Sequence, residues 1–335
     1  MTVNDHIKAF IHLGKLMKDI ENPDIQDIQR LAFSHNGWFD ETMVNMAFKA
    51  WSRQLEQDHI LEWINKYDLS KNYPKKNLGI ISAGNVPLVG LHDLLCGLIT
   101  GHKVFFKASS KDSILMKWVI QVLSSFDNRY KDQLNLTEQL KDIDAVIATG
   151  SNNTSRYFEQ YFGKFPNIIR KNRTSVGILY GDETEVELKA LGNDIFGYYG
   201  LGCRNISKIF IPENYDIKRL FEALSDYEWV MDNNKYKNNY DYNCTLWLMN
   251  KEEFLTNNFL MIKESAELVA PTSAIYTQRY SNSDDLKKLL GDLEREQIQC
   301  YSSKKEQHVD LGNCQNPNLW DYADNIDTIS FLLKL

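Results

Sequence analysis

Apolar positions near the N-terminus follow the periodicity of helices. Over residues 3–67 they recur at spacings of three and four, as in Ile7, Phe10, Ile11 and Met17. This spacing places the apolar side chains on one face of a helix, so the segment is predicted to be helical.

The pattern changes between residues 77 and 180, where short apolar runs alternate with helical segments. Such alternation predicts a parallel sheet with helices wound around it. The predicted strands are 78–82, 104–106, 145–148, 168–169 and 176–180, and the predicted helices are 87–101, 111–126 and 151–163. A second alternating region runs from about 184 to 320, with strands at 208–211, 274–276 and 298–301 and a helix at 282–296. We expect two α/β domains that meet near Gly181.

Composition excludes several classes of protein. The net charge of −7 argues against a nucleic-acid or anionic-membrane partner. No apolar run reaches the roughly 18 residues of a membrane span, and the N-terminus lacks a signal-peptide pattern, so we expect a cytoplasmic protein. The five cysteines include no Cys-x-x-Cys pair, and the seven histidines show no ligand spacing. We therefore expect neither a disulfide framework nor a metal site.

A cysteine follows a glycine-rich turn at the end of a predicted helix. The helix spans residues 184 to about 199, and Gly197, Gly200 and Gly202 precede Cys203. Glycines let the backbone turn sharply and approach a ligand. Backbone N–H groups on such a turn lower a thiol pKa and hold an oxyanion, so Cys203 is a candidate nucleophile. The structural alternative is a small buried residue, because free cysteine is among the most buried residue types.

Asn85 and Lys107 each follow a predicted strand. In the segment SAGNVPLVG, Gly84 allows a turn and Pro87 is predicted to begin a helix. An amide at this point can donate a hydrogen bond to a developing oxyanion. Lys107 ends the strand at 104–106 and faces the usual ligand crevice of a wound sheet. The structural alternatives are a turn-forming asparagine and a solvated lysine.

A third strand end carries the sequence Thr149-Gly150-Ser151 before a predicted helix. Free N–H groups at a helix start suit a phosphate, although the same residues also simply cap helices. No Gly-x-Gly-x-x-Gly follows any predicted strand, so the usual dinucleotide fingerprint is absent. A cysteine nucleophile, an amide donor and a dinucleotide crevice together favour covalent thiol chemistry coupled to hydride transfer.

These segments, in this order, resemble the aldehyde dehydrogenase superfamily, and specifically acyl-CoA reductases of the LuxC type, over about residues 75–325. The resemblance implies an α/β fold with a Rossmann-like cofactor domain and an α/β catalytic domain. Residues 1–180 would hold the N-terminal helices and the cofactor domain, 181–320 the catalytic domain, and 321–335 a C-terminal tail. Residues 315–324 resemble the C-terminal end of the acyl-CoA reductase branch.

The resemblance also implies a role for each motif. Asn85-Val-Pro resembles Asn-Phe-Pro, whose asparagine is an oxyanion donor. Gly200-Leu-Gly-Cys203, with Lys208 five residues on, resembles the motif of the catalytic nucleophile. The implied cofactor-binding residues are Lys107, Ser109 and Ser110 at the adenosine ribose, Gly150 and Ser151 at the pyrophosphate, and Glu267 at the nicotinamide ribose.

Three departures from the family pattern refine this interpretation. Hydrolytic members carry a glutamate general base where this chain has residues 168–173, which contain no carboxylate, so we expect an acyl-enzyme to be reduced or transferred. The glutamate of the ribose motif is replaced by Ser110, followed by Lys111, which should admit the 2′-phosphate of NADPH. The segment before Asn85 is much shorter than in ordinary aldehyde dehydrogenases, so we expect the usual oligomerisation hairpin to be missing.

We therefore predict an NADPH-dependent reductase of long-chain acyl-CoA or acyl-carrier thioesters. Arg170, Lys171 and Arg173 are candidates for binding coenzyme A, with a solvated basic loop as the alternative. Three other functions stay open: a short-chain acylating aldehyde dehydrogenase, a cysteine acyltransferase without redox chemistry, and an inactive acyl-binding subunit. A homo-oligomer or an acyl-protein synthetase partner is expected from the family.

Overall fold

Helices form the N-terminal part of the chain in the computed structural model, which describes residues 1–71 and 73–335. The region 3–67 predicted to be helical consists of four helices, α1 (Val3–Lys18), α2 (Pro23–His35), α3 (Glu41–Gln54) and α4 (Gln57–Ile64). Helix α1 begins with a capping box, in which Thr2 Oγ accepts from the Asp5 N–H and the Asp5 carboxylate accepts from the Thr2 N–H.

The described residues that follow form a five-stranded parallel sheet of order β3-β2-β1-β4-β5. Its elements are β1 (Asn77–Ile81), α5 (Leu91–Ile99), β2 (Lys103–Lys107), α6 (Ser113–Phe126), α7 (Tyr130–Gln133), β3 (Leu134–Leu136), β4 (Ala145–Thr149), α8 (Asn152–Phe162) and β5 (Asn167–Arg170). The chain adds β2 and β3 on one side of β1 and then crosses to add β4 and β5 on the other. The topological switch point, where open α/β sheets bind ligands, therefore lies between β1 and β4.

A six-stranded sheet of order β11-β6-β7-β10-β9-β8 organises the later residues, and only the β8–β9 pair is antiparallel. Its elements are β6 (Thr174–Ile178), α9 (Glu185–Phe196), β7 (Ile206–Pro212), α10 (Ile217–Ala223), α11 (Asn234–Met249), β8 (Leu255–Thr256), β9 (Met261–Glu264), β10 (Ala274–Tyr280), α12 (Ser283–Gly291) and β11 (Ile298–Ser302). One parallel and one mainly parallel sheet agree with the α/β fold class that the sequence predicts.

The chain divides into one unit of residues 1–172 and 318–335 and a second unit of residues 173–317. The sequence placed the boundary near Gly181, but β6 pairs with β7 and β11 and so joins the second unit. The sequence also separated 321–335 as a tail. In the structure this segment, with its helix α13 (Thr328–Leu332), is part of the first unit, where Tyr322 accepts a hydrogen bond from Trp63.

Candidate active site

The sequence-predicted residues Asn85, Lys107 and Gly150 lie at or just after the carboxyl ends of three adjacent parallel strands. Ile81 of β1 lies opposite Lys107 of β2 and Ala148 of β4, so the carboxyl ends of the three strands meet at one edge. The Ser82 N–H donates to the Lys107 carbonyl across 3.2 Å and extends the pairing beyond the strands. The structure therefore brings these residues together at the switch-point edge of the first sheet.

The turn that holds Asn85 contacts the segment that follows β2. A Cβ added at Gly84 would lie 2.6 Å from Ser109 Oγ and 3.0 Å from Lys111 Cβ, so a side chain is excluded at this position. Asn85 is exposed on this turn. Pro87 does not begin a helix as the sequence predicted, because α5 begins at Leu91 after a close contact between Gly90 and Ser82.

A buried carboxyl group joins the same two loops. Asp112 Oδ2 accepts a hydrogen bond of 2.8 Å from the Leu88 N–H, while Asp112 Oδ1 is buried without a hydrogen-bond partner. Burial raises the pKa of Asp112 well above its ordinary value. The carboxyl group holds Leu88 in a left-handed conformation with φ of 58°.

Ser109 and Ser151 act locally as caps. Ser109 Oγ accepts from the Lys111 N–H at 3.3 Å, and Ser110 is exposed beside it. Ser151 Oγ accepts from the Thr154 N–H at 3.3 Å, so Ser151 is the N-cap of α8. A Cβ at Gly150 would lie 2.9 Å from Phe158, which explains the glycine before this helix.

Cys203 lies on an irregular turn at the end of α9. Tyr198 and Tyr199 adopt left-handed conformations with φ of 50° and 55°, and Gly200 follows with φ of 75°. Such angles are uncommon for residues other than glycine. The expected glycine-rich turn is present, but two tyrosines share the positive-φ positions with Gly200. Cys203 is half-buried.

Asn205 closes this turn from the inside. Its Oδ1 accepts from the Gly202 N–H at 2.7 Å, and its Nδ2 donates to the carbonyls of Asp194 at 2.9 Å and Gly197 at 2.7 Å. The amide thus satisfies carbonyls at the C-terminus of α9 and fixes the residue before Cys203. Asn205 could not be identified from the sequence, because its partners become neighbours only when the turn forms.

Lys208 holds the segment that carries Glu267. The Nζ of this fully buried residue donates to the carbonyls of Ser265, Ala266 and Glu267 at 3.0, 2.9 and 3.0 Å. Burial lowers the pKa of Lys208 to about 8, against the opposing charge of Glu267. Three carbonyls match the three N–H donors of an ammonium group, which stays protonated at pH 7. The Glu267 side chain is exposed.

The three cations proposed to bind coenzyme A each have a different partner. Arg170 is buried and pairs with Asp93, and its Nη2 donates to Thr328 at 3.1 Å. Arg170 is thus a structural residue, and its proposed role in coenzyme A binding is wrong. The exposed Lys171 pairs with Glu159 at 2.9 Å, and Arg173 donates to the carbonyl of Ile298 at 3.2 Å.

Comparison with known proteins identifies the family. A model of the acyl-CoA reductase (LuxC) family matches residues 15–218, which is more than half of the chain. The chain belongs to the LuxC family of acyl-CoA reductases. The matched range contains Asn85, Lys107 and Cys203, whereas Glu267 lies beyond it. No curated protein sequence matches the chain.

Solved structures of aldehyde dehydrogenases share the fold of this LuxC-family chain. Aldehyde dehydrogenase 21 from Physcomitrella patens, in complex with succinate, has a TM-score of 0.68 and 11% identity, covering 100% of this chain and 84% of that one. The NADP-dependent glyceraldehyde-3-phosphate dehydrogenase from Bacillus halodurans, complexed with NADP, has a TM-score of 0.63 and 14% identity, covering 92% and 75%. An aldehyde dehydrogenase from Mycobacterium tuberculosis, complexed with NAD+, has a TM-score of 0.62 and 11% identity, covering 87% and 71%. The aldehyde dehydrogenase-like fold predicted from the sequence is confirmed.

The second unit of this LuxC-family chain also contains a small cavity beside the cysteine turn. The cavity of about 70 Å³ is lined in part by Phe196, Tyr199, Gly200, Tyr236 and Pro271. It has room for only a few water molecules, so we do not assign an acyl chain to it. Across residues 1–71 and 73–335, no cluster of three or more potential ligands suits a metal ion, and no helix is long and apolar enough to span a membrane.

Proposed function

We propose that this LuxC-family chain reduces a long-chain acyl-CoA thioester to an aldehyde with NADPH, through an acyl group bound covalently to Cys203. The observation that carries the proposal is the turn around Cys203. The turn leaves the thiol half-buried, and Asn205 fixes the adjoining Gly202 N–H. A thiol on a fixed turn, in a fold shared with aldehyde dehydrogenases, suits thioester exchange.

The chain's own residues supply the acylation step. The Cys203 thiolate attacks the carbonyl carbon of the thioester, the C–S bond to coenzyme A breaks, and coenzyme A leaves as its thiolate. The Cys203 N–H and, by the family resemblance, the Asn85 amide donate hydrogen bonds to the oxyanion. When bound, the nicotinamide supplies a hydride that reduces the acyl group.

The lack of a general base favours reduction over hydrolysis. In hydrolytic relatives a glutamate activates water, but the segment from β5 to β6 holds Arg170, Lys171, Asn172 and Arg173. Arg170 is committed to Asp93, and a guanidinium group cannot remove a proton from water at neutral pH. An acyl-enzyme at Cys203 should therefore persist until it is reduced.

The residues at the edge of the first sheet fit a dinucleotide. Ser151 begins the 11-residue helix α8, and a helix N-terminus suits a pyrophosphate. The glycine before it keeps side-chain bulk away from the backbone. Lys107 is the candidate for the adenosine ribose, and Glu267 for the nicotinamide ribose. These assignments rest on the family motifs.

The charges after β2 favour NADPH over NADH. A carboxylate near the ribose would repel a 2′-phosphate, but this position is occupied by the exposed Ser110, and Lys111 is exposed beside it. The next acidic residue is Asp112, whose side chain is buried. The exposed side chains of this segment therefore include a cation and no carboxylate.

Cofactor oxidation in the presence of acyl thioesters tests the proposal. We expect NADPH consumption with coenzyme A thioesters of long acyl chains, lower kcat/KM with short chains, and lower kcat/KM with NADH. Cys203→Ala is the matched control and should lose turnover while it retains NADPH binding. Release of coenzyme A without cofactor oxidation over many turnovers would instead indicate an acyltransferase or a thioesterase. A preference for short acyl chains would favour an acylating aldehyde dehydrogenase.

A further inference from the structure

Two cysteines outside the proposed catalytic machinery face one another in the second unit. Cys300 lies on β11, Cys314 lies in the following loop, and their sulfur atoms are 3.7 Å apart. Both are free thiols; Cys300 is half-buried and Cys314 is fully buried. Neither residue belongs to a sequence motif singled out above.

The loop that presents Cys314 is held in place by a buried carboxylate. Asp194 accepts from the Cys314 N–H at 2.8 Å and from the Gly312 N–H at 2.7 Å. Gly312 has φ of 88°, and a Cβ there would lie 2.6 Å from the Ala190 carbonyl oxygen, so the loop lies close against α9. The loop thus keeps the Cys314 sulfur directed at Cys300.

The two thiols differ in their tendency to ionise. The neighbouring Cys314 thiol lowers the pKa of Cys300 to about 7, and the charge of Arg204 acts in the same direction. The pKa of Cys314 is raised by the same contact and by burial. A thiolate-forming, partly accessible cysteine beside a second thiol has the features of a redox-sensing pair.

We propose that Cys300 and Cys314 are an oxidation site, at which hydrogen peroxide converts the dithiol to a disulfide and thereby lowers the reactivity of Cys203. The Cys300 thiolate attacks one peroxide oxygen, the O–O bond breaks, and hydroxide takes up a proton to leave as water. The resulting sulfenic acid is attacked by the Cys314 sulfur. The S–S bond forms, the S–O bond breaks, and the Cys314 proton leaves with the second water. Two thiols lose two electrons, and one peroxide gains them.

Ser175 connects this pair to the cysteine turn. Its hydroxyl donates to the Cys203 carbonyl at 3.1 Å and also contacts Cys300 Sγ. Its N–H donates at 3.0 Å to the carbonyl of Asn205, the residue that closes the turn. A disulfide requires the sulfurs to approach from 3.7 Å to about 2.0 Å, which moves Cys300 Sγ relative to Ser175. Oxidation therefore changes the contacts that fix the Cys203 backbone.

The experiment treats the full-length protein with hydrogen peroxide and reads two quantities. Peptide mapping without reductant measures the Cys300–Cys314 cross-link and the oxidation state of Cys203. The rate at which iodoacetamide alkylates Cys203 measures the effect on the turn. Only the consequence for acyl-CoA reduction rests on the proposed function, because neither readout requires turnover.

We expect the cross-link to form while Cys203 stays reduced, with a fall of about fivefold or more in the alkylation rate of Cys203. Dithiothreitol should restore the rate. Cys244→Ser, which removes a half-buried cysteine elsewhere in this unit, should behave as the wild type. Cys314→Ser should form no cross-link and show no such fall.

Oxidation of Cys203 before the pair, or a cross-link that leaves the alkylation rate unchanged, would overturn the proposal. A cross-link with the expected fall, in a protein that does not reduce acyl-CoA, would reject the proposed function alone.

Discussion

The ammonium group of Lys208 donates a hydrogen bond of 3.0 Å to the backbone carbonyl of Glu267. Two further bonds, to Ser265 and Ala266, use the remaining protons of the same group. Because Lys208 is on β7, five residues after Cys203, one side chain connects the strand that follows Cys203 to the segment that contains Glu267, the proposed ribose ligand. Lys208, the basic residue that follows the cysteine in the family motif, thus has a structural role.

Replacing Lys208 with methionine should weaken cofactor binding more than acylation. Three backbone carbonyls lose their donor, and a hydrogen bond to a charged group contributes about 1.5–3 kcal/mol. We expect the KM for NADPH to rise by about tenfold or more, while the acylation burst measured without cofactor changes much less. Lys208→Arg retains the charge and should recover part of the loss. An equal fall of the burst and of cofactor affinity would indicate general unfolding of the site.

The fold could be predicted from the sequence where apolar runs were long and regular. The strands at 78–82 and 145–148 and the N-terminal helices are such cases. Strand β3 was missed because it is a three-residue edge strand. Helix α11 was missed because its buried stripe is Tyr236, Tyr240, Asn243 and Trp247, residues that all carry polar atoms.

The candidate site also contains some residues that the sequence indicates and others that only the structure shows. Cys203, Asn85 and Lys107 were predicted because each stands in a local motif, and the sheet order explains why the last two share an edge. Asn205 and Asp112 lie beside those motifs but act through contacts that only the folded chain creates. Local sequence therefore indicates the candidate residues, whereas the contacts that support them are visible only in the structure.

Removing the Asn205 amide should open the cysteine turn. Asn205→Ala leaves the Gly202 N–H and the carbonyls of Asp194 and Gly197 without this partner. Unsatisfied buried groups cost about 1–3 kcal/mol each, so we expect the free energy of unfolding in urea to fall by several kcal/mol. Asn205→Asp keeps the acceptor for Gly202 and loses the donors. It should also destabilise the protein, since it places a carboxylate against carbonyl oxygens. A stability unchanged within about 0.5 kcal/mol for Asn205→Ala would contradict this role.

The buried carboxyl group of Asp112 predicts a pH dependence of stability. Because burial raises the folded-state pKa of Asp112, the folded protein binds its proton more tightly than the unfolded chain. The contribution of this proton binding to the free energy of unfolding is complete below the ordinary aspartate pKa. It is lost as the pH rises through the folded-state pKa of Asp112. The side chain of Asp112→Asn does not titrate. The free energy of unfolding of this variant, measured by urea denaturation between pH 4 and pH 9, should therefore lack this pH-dependent loss. Asp112→Ala should destabilise at every pH, because Leu88 loses its acceptor. Parallel pH profiles for Asp112→Asn and the wild type would contradict the assignment.

Substitution of Asn85 tests the proposed side-chain donor. Removing one oxyanion donor typically lowers kcat by about 10²–10³. Asn85→Ala should show this loss with nearly unchanged NADPH affinity, and Asn85→Asp should be worse because it adds a negative charge. Near-normal turnover of Asn85→Ala, or a loss confined to NADPH binding, would make Asn85 a turn residue only.

The covalent intermediate on Cys203 is the central claim. Mixing the protein with a long-chain acyl-CoA in the absence of cofactor, followed by mass spectrometry of the intact chain and its peptides, tests it most directly. We predict one acyl group per chain, mapped to Cys203, with stoichiometric release of coenzyme A and no adduct in Cys203→Ala. Adding NADPH should remove the acyl group as aldehyde. An acyl group on Cys96, Cys244, Cys300 or Cys314 instead, or NADPH-dependent aldehyde formation by Cys203→Ala, would contradict the account.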